Sequence, residues 1–262
     1  MNTFQQLVLP SLVLPLALSA AGLLLTRQHP AWQWVLPLIW LPAGFWLTDG
    51  AALRPQEAND WLWLLLLTSL VLQVSTSRFL PPKAAWPQTA LLSVALILLS
   101  WPVLTHQPDY SLVAELFAVL LAGAVILHTC KAEAASAPAL TLAASSGGLA
   151  LVTALGGSLL IGQLAAALAA SLGAFALYEL YLRLTSPSVG TTHFIPLLQV
   201  YLALLVIARL YAGIPLVSAA LLLAAPAIGL FSQNRFAAVG STLCATTALL
   251  WLLFTADASS YY

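Results

Sequence analysis

The chain has 262 residues, of which 61% are hydrophobic and 6% charged. Soluble domains carry roughly 25% charged residues, so eight basic and eight acidic side chains cannot cover a water-facing surface of this size. A soluble globular protein is excluded, and zero net charge without a basic tract excludes a nucleic-acid partner.

What remains is a chain dissolved in lipid, with a mean hydropathy of +0.98. A bilayer admits only helices or closed barrels, and long apolar runs point to helices. The expected fold is an all-α polytopic transmembrane bundle of about ten membrane-spanning helices, built as one integral membrane domain over residues 1–262.

The first segment, residues 6–26, has no Lys or Arg before its apolar run. It reads as a retained helix rather than a signal peptide, which needs a positive leader. The second, 32–48, contains "VLPLIWLPAGFW". Pro37 and Pro42 lie five apart with Gly44 after them, which makes this segment the best candidate for a broken helix. Broken helices line transport sites, although kinks without such a role are more common. The connector "DGAALRPQEAND" gathers Asp49, Glu57 and Asp60 around Arg54 and reads as a solvated loop. The third segment, 61–75, is short, and either extends toward Phe79 or is only partly inserted; 86–105 and 112–129 follow.

The stretch from Pro138 to Leu184 holds forty-seven residues. As one helix, at about 1.5 Å per residue, it would be roughly 70 Å long, against a hydrocarbon core of about 30 Å. The chain must turn back, and "IGQ" at 161–163 offers a glycine and a polar side chain. The segments are then 138–161 and 164–184, followed by 194–213, 215–231 and 237–255. A division into halves at 1–130 and 138–262 is conceivable, but no motif is shared between them.

Charge supports this threading. With ten crossings, Arg27, Arg78, Lys83, Lys131, Arg183 and Arg235 gather on one side. Arg54 stands opposite with Asp49, Glu57, Asp60, Asp109 and Asp257. By the positive-inside rule the basic side is cytoplasmic. Both termini are therefore expected on the non-cytoplasmic side, and the short connectors suggest a bacterial inner membrane. Tryptophans near segment ends fit an interfacial belt.

Few ionisable groups fall within the segments, and such groups need a partner or water. Glu115, one turn into the fifth, and Arg209, one turn before the end of the eighth, have similar depth; an ion pair is expected, with snorkelling as the alternative. Glu179 and Arg183 are four apart in the orientation that favours a helical pair. Gly148, Gly157, Gly162 and Gly173 belong to small-residue faces that suit close helix packing.

No GxSxG, HExxH or phosphate-binding glycine loop is present, and the two cysteines have no metal-ligand spacing. No catalytic residue, metal or cofactor is assigned, and the balance leans away from an enzyme. The expected function is a carrier or channel for a small or lipophilic substrate. A non-catalytic subunit of a larger membrane complex is the first alternative, and a membrane enzyme acting on lipid the second. The expected partners are the lipid bilayer and either other membrane subunits or a homo-oligomer.

Overall fold

The computed structural model describes residues 9–25, 60–79, 86–106, 110–129, 138–185, 195–231 and 237–259. Among the described residues the fold is all-α. Nine α-helices follow in order: α1 Leu14–Leu25, entered through a π turn at Leu9–Val13, α2 Asp60–Phe79, α3 Trp86–His106, α4 Tyr110–Thr129, α5 Pro138–Leu155, α6 Leu159–Thr185, α7 Ile195–Tyr211, α8 Leu216–Phe231 and α9 Ala237–Ser259. Helix α2 runs on to Phe79, longer than its apolar core. The proposed second crossing, with Pro37, Pro42 and Gly44, lies outside the described residues.

Three helical stretches are long and apolar enough to cross a bilayer by length and composition: Trp86–His106, Tyr110–His128 and Leu159–Tyr178. These spans mark a membrane protein in contact with lipid. Large apolar side chains such as Phe117, Leu121, Leu177 and Phe254 stand exposed on the outside, which hydrocarbon tolerates and water does not. The other apolar stretches among the described residues are shorter, such as Val239–Thr255 within α9; Ile195–Tyr211, at seventeen residues, is about 25 Å long.

That short helix is the centre of the bundle. Helix α7 touches α2, α3, α4, α5, α6 and α8, and every residue from Pro196 to Ala208 is buried. Burial on every side, and not apolarity alone, marks it as an interior helix, since an apolar helix can also face lipid. Its polar exceptions are bonded through their donors, while Gln199 Oε1 has no partner among the described residues. The Gln199 Nε2 donates to the Gln88 carbonyl at 2.8 Å and to its Oε1 at 3.0 Å. The Tyr201 hydroxyl donates to the Leu222 carbonyl at 2.6 Å. That carbonyl is available because Pro226, four residues on in α8, has no N–H to give it.

Helices α5 and α6 form the hairpin that length demands, but its turn is not at 161–163. Helix α5 stops at Leu155, and the reversal occupies 156–158. Gly157 has φ +112°, a backbone that side chains rarely adopt. Ser158 then caps α6, its Oγ accepting from the Ile161 N–H at 3.4 Å. Backbone conformation decides the turn here, and Gln163 sits inside the first turns of α6.

The four glycines chosen for helix packing divide evenly. A Cβ on Gly148 would lie 2.4 Å from the Ala245 Cβ of α9, and one on Gly162 would lie 3.0 Å from the Ala154 Cβ of α5. Both are at close helix contacts. Gly157 is the turn itself, and among the described residues nothing lies within 4 Å of a Cβ built on Gly173.

Candidate functional site

The site begins with three helices brought within reach of one another. Gly123 allows α4 to approach the side chains of Leu92 on α3 and Leu202 on α7; a Cβ there would meet them at 2.8 and 3.0 Å. Helix α7 ends at Tyr211, and the Gly213 backbone at φ +63° redirects the chain into α8. Helices α4 and α8 are thus held on either side of the last turns of α7.

Glu115 and Arg209 meet across this junction. The Arg209 Nε donates to Glu115 Oε2 at 2.8 Å, and Nη2 donates to Oε1 at 3.0 Å. This is the two-pronged guanidinium–carboxylate geometry, shorter and stronger than a neutral hydrogen bond. The Arg209 Nη1 donates to the Ile214 carbonyl at 3.1 Å. One side chain therefore fastens α4 to α7 and also holds the α7–α8 turn. The side chains are 20% exposed for Glu115 and 29% for Arg209, so the pair is neither fully solvated nor sealed. The Tyr211 hydroxyl donates to the Leu99 carbonyl at 3.1 Å and ties the same level to α3.

Beside the pair lies a cleft of about 130 Å³. Its floor is Leu205 and Val206 of α7, both buried. Its walls are Leu116 and Val119 of α4 and Ala219 and Leu223 of α8. Ala118, Leu216 and Ala220 form an exposed rim, so the cleft opens at the perimeter of the bundle, between α4 and α8. An apolar cavity of roughly 150 Å³ accommodates a benzene-sized molecule. The cleft has room for an apolar group of that order, with a neutralised charge pair at its edge.

Glu179 and Arg183 lie in the last turns of α6, away from this cleft in the chain, and their side chains fall outside the described ones. Among the described residues no cluster of three or more His, Cys, Asp or Glu is placed to hold a metal.

The sequence reading passed over a second polar node. Gln88 of α3 and Gln199 of α7 are buried together with Ser69 of α2, whose Oγ donates to Gln88 Oε1 at 3.3 Å. The signal was available: a glutamine inside each of two apolar runs needs a partner in lipid. The cleft had no such signal, since its lining is ordinary Leu, Val and Ala. No known protein family, curated protein or solved structure matches this chain.

Proposed function

We propose that the chain is a carrier for a small or lipophilic substrate. In this reading it is threaded ten times through a bacterial inner membrane, with both termini on the non-cytoplasmic side. The observation that carries the reading is the apolar cleft whose edge is the Glu115–Arg209 pair. An ionisable pair inside a lipid-dissolved bundle is costly to keep, and here it borders a cavity instead of a filled interior. The gathering of Arg27, Arg78, Lys83, Lys131, Arg183 and Arg235 in alternate connectors supports the threading. Cysteine labelling that placed positions 83 and 109 on the same face of the membrane would overturn it.

The transport reading is tested in vesicles reconstituted with the purified protein. Short-chain fluorescent diacyl lipids with neutral, anionic and zwitterionic heads are added, and their passage between leaflets is followed by chemical quenching. Wild-type protein accelerates at least one of them over protein-free vesicles. Glu115→Ala slows that passage while still inserting and eluting as a single species. No acceleration for any head, or equal rates for Glu115→Ala, refutes the reading.

A second reading, a subunit of a larger membrane assembly, is favoured by a face of α6 that is half-exposed among the described residues. Gln163, Ala166, Ala169, Gly173 and Ala176 share it, and among the described residues nothing lies within 4 Å of a Cβ built on Gly173. Small residues on an open helix face suit close helix association in lipid. A protein that co-purifies in mild detergent and is released by Gly173→Leu supports this reading.

A further inference from the structure

Packing divides the described helices into two units. Helices α5 and α6 lie against each other, α9 packs on α8 and α5, and α1 packs on α6. Helices α2, α3 and α4 pack in succession, and α7 rests chiefly on α2 and α3. Contacts between the two sets, from α7 to α5, α6 and α8 and from α4 to α8, are sparser. Hydrogen bonds follow the same division. Ser145 with Ser241, at 2.9 Å, and Ser218 Oγ to the Ala248 carbonyl, at 3.0 Å, knit α5, α8 and α9. Gln199 with Gln88, Arg209 with Glu115 and Tyr211 with the Leu99 carbonyl knit α7 to α3 and α4.

The cleft lies on the seam, its floor and one wall from α7 and α4 and its other wall from α8. Two bonds from α7 frame the α8 wall. At the near end Arg209 Nη1 donates to the Ile214 carbonyl beside Gly213, whose φ is +63°. That bond spans five residues of chain and holds the turn itself. At the far end the Tyr201 hydroxyl donates to the Leu222 carbonyl, across the seam. The chain passes between the units at 26–59, 130–137, 186–194 and 212–215. The last passage is the shortest, which sets the pivot there.

A seam with a turn at one end and a bond at the other opens by rotation. Leu222 is eight residues beyond Ile214, a lever of about 12 Å. A rotation of about 15°, of the size found when packed units turn on one another, moves Leu222 by about 3 Å. The Tyr201 bond then breaks, and the cleft widens from its far end. Helices α9 and α5 travel with α8, because Ser218 bonds to α9 and Gly148 of α5 seats closely on Ala245.

We propose that the bundle is a two-body device. The unit of α1, α5, α6, α8 and α9 rocks about the α7–α8 turn against the unit of α2, α3, α4 and α7, and the Tyr201–Leu222 bond is the clasp of the closed form. The proposal concerns movement and stands apart from what the cleft receives.

The test uses the full-length protein in nanodiscs, with Cys130→Ala and Cys244→Ala removing the native thiols. Spin labels are attached at Val125→Cys of α4 and Val239→Cys of α9, exposed positions on opposite units. Val125 is ten residues along α4 from Glu115, and Val239 nine before Ala248, so both lie toward the clasp. Pulsed electron resonance gives the distribution of distances between them. The wild-type bundle has a main distance and a minor longer one. Tyr201→Phe removes the clasp and raises the longer population about fivefold, the worth of one hydrogen bond. Pro226→Ala raises it too, because the new N–H takes the Leu222 carbonyl and parting no longer strands it; this variant carries the test alone if Tyr201→Phe does not insert. Tyr211→Phe removes a like bond within one unit and leaves the distribution as in wild type. A folded clasp variant with the wild-type distribution, or an equal shift in Tyr211→Phe, overturns the proposal.

Discussion

Gly148→Ala probes the seam between α5, α8 and α9. A Cβ at this position falls 2.4 Å from the Ala245 Cβ, 3.2 Å from the Ala245 Cα and 3.4 Å from a Leu222 methyl. Ordinary carbon contacts lie at about 3.5–4.0 Å, so α5 and α9 have to part by about 1 Å. Neither alanine atom is the end of a flexible side chain, and no rotamer change relieves the clash. Overpacking of this kind costs about 1–3 kcal/mol. Separation also stretches the Ser145–Ser241 hydroxyl contact, now 2.9 Å, beyond hydrogen-bonding range, at about 1 kcal/mol more. The gain in helix propensity returns about 0.5–1 kcal/mol. The net loss is about 1–3 kcal/mol.

The adjacent Gly147 supplies the control, because nothing lies within 4 Å of a Cβ built there. Gly147→Ala keeps the propensity gain without the clash. Both variants are unfolded by titrating a denaturing detergent into a mild one, with helical circular dichroism as the readout. Gly148→Ala shifts the midpoint down and Gly147→Ala leaves it level or raises it. A Gly148→Ala midpoint at or above that of Gly147→Ala refutes the close approach of α5 to α9.

Tyr201→Phe strands the Leu222 carbonyl in an apolar interior and lowers stability by about 1–3 kcal/mol. In a Pro226→Ala background the loss shrinks, because the new residue's N–H takes that carbonyl; a full, additive loss in the double variant contradicts the account. Gly157→Ala costs about 1–3 kcal/mol from backbone strain alone, since its φ is +112° and no neighbour lies within 4 Å. A thermal midpoint equal to wild type shows that the hairpin turn is not built on that conformation.

The hairpin of α5 and α6 is legible in the sequence because length forces it: forty-seven mostly apolar residues exceed any bilayer. Its turn is less legible. Gln163 is the conspicuous polar residue, yet the chain reverses at a glycine pair followed by a serine cap, a local signal weaker to the eye. The Glu115–Arg209 contact can be read from depth, since two opposite charges at one level of a membrane have few other partners. The cleft beside it cannot. It is a shape left between α4, α7 and α8 by side chains that are individually unremarkable. The bond from Tyr201 to Leu222 is equally hidden, for it depends on which face of α8 Pro226 opens toward α7. The open face of Gly173 is illegible for the same reason: small-residue spacing looks alike whether a neighbour is present or not.

The enclosure of α7 has a consequence for biogenesis. Five of the helices that surround it are made before it, so the ribosome delivers the wall before the post. Until Ile195 and its successors emerge, the slot they will occupy must be filled by lipid or left partly collapsed. A nascent chain arrested ahead of that point should be far more open to protease than one arrested just after Tyr211, and the difference measures how much of the bundle's order arrives with a single late helix.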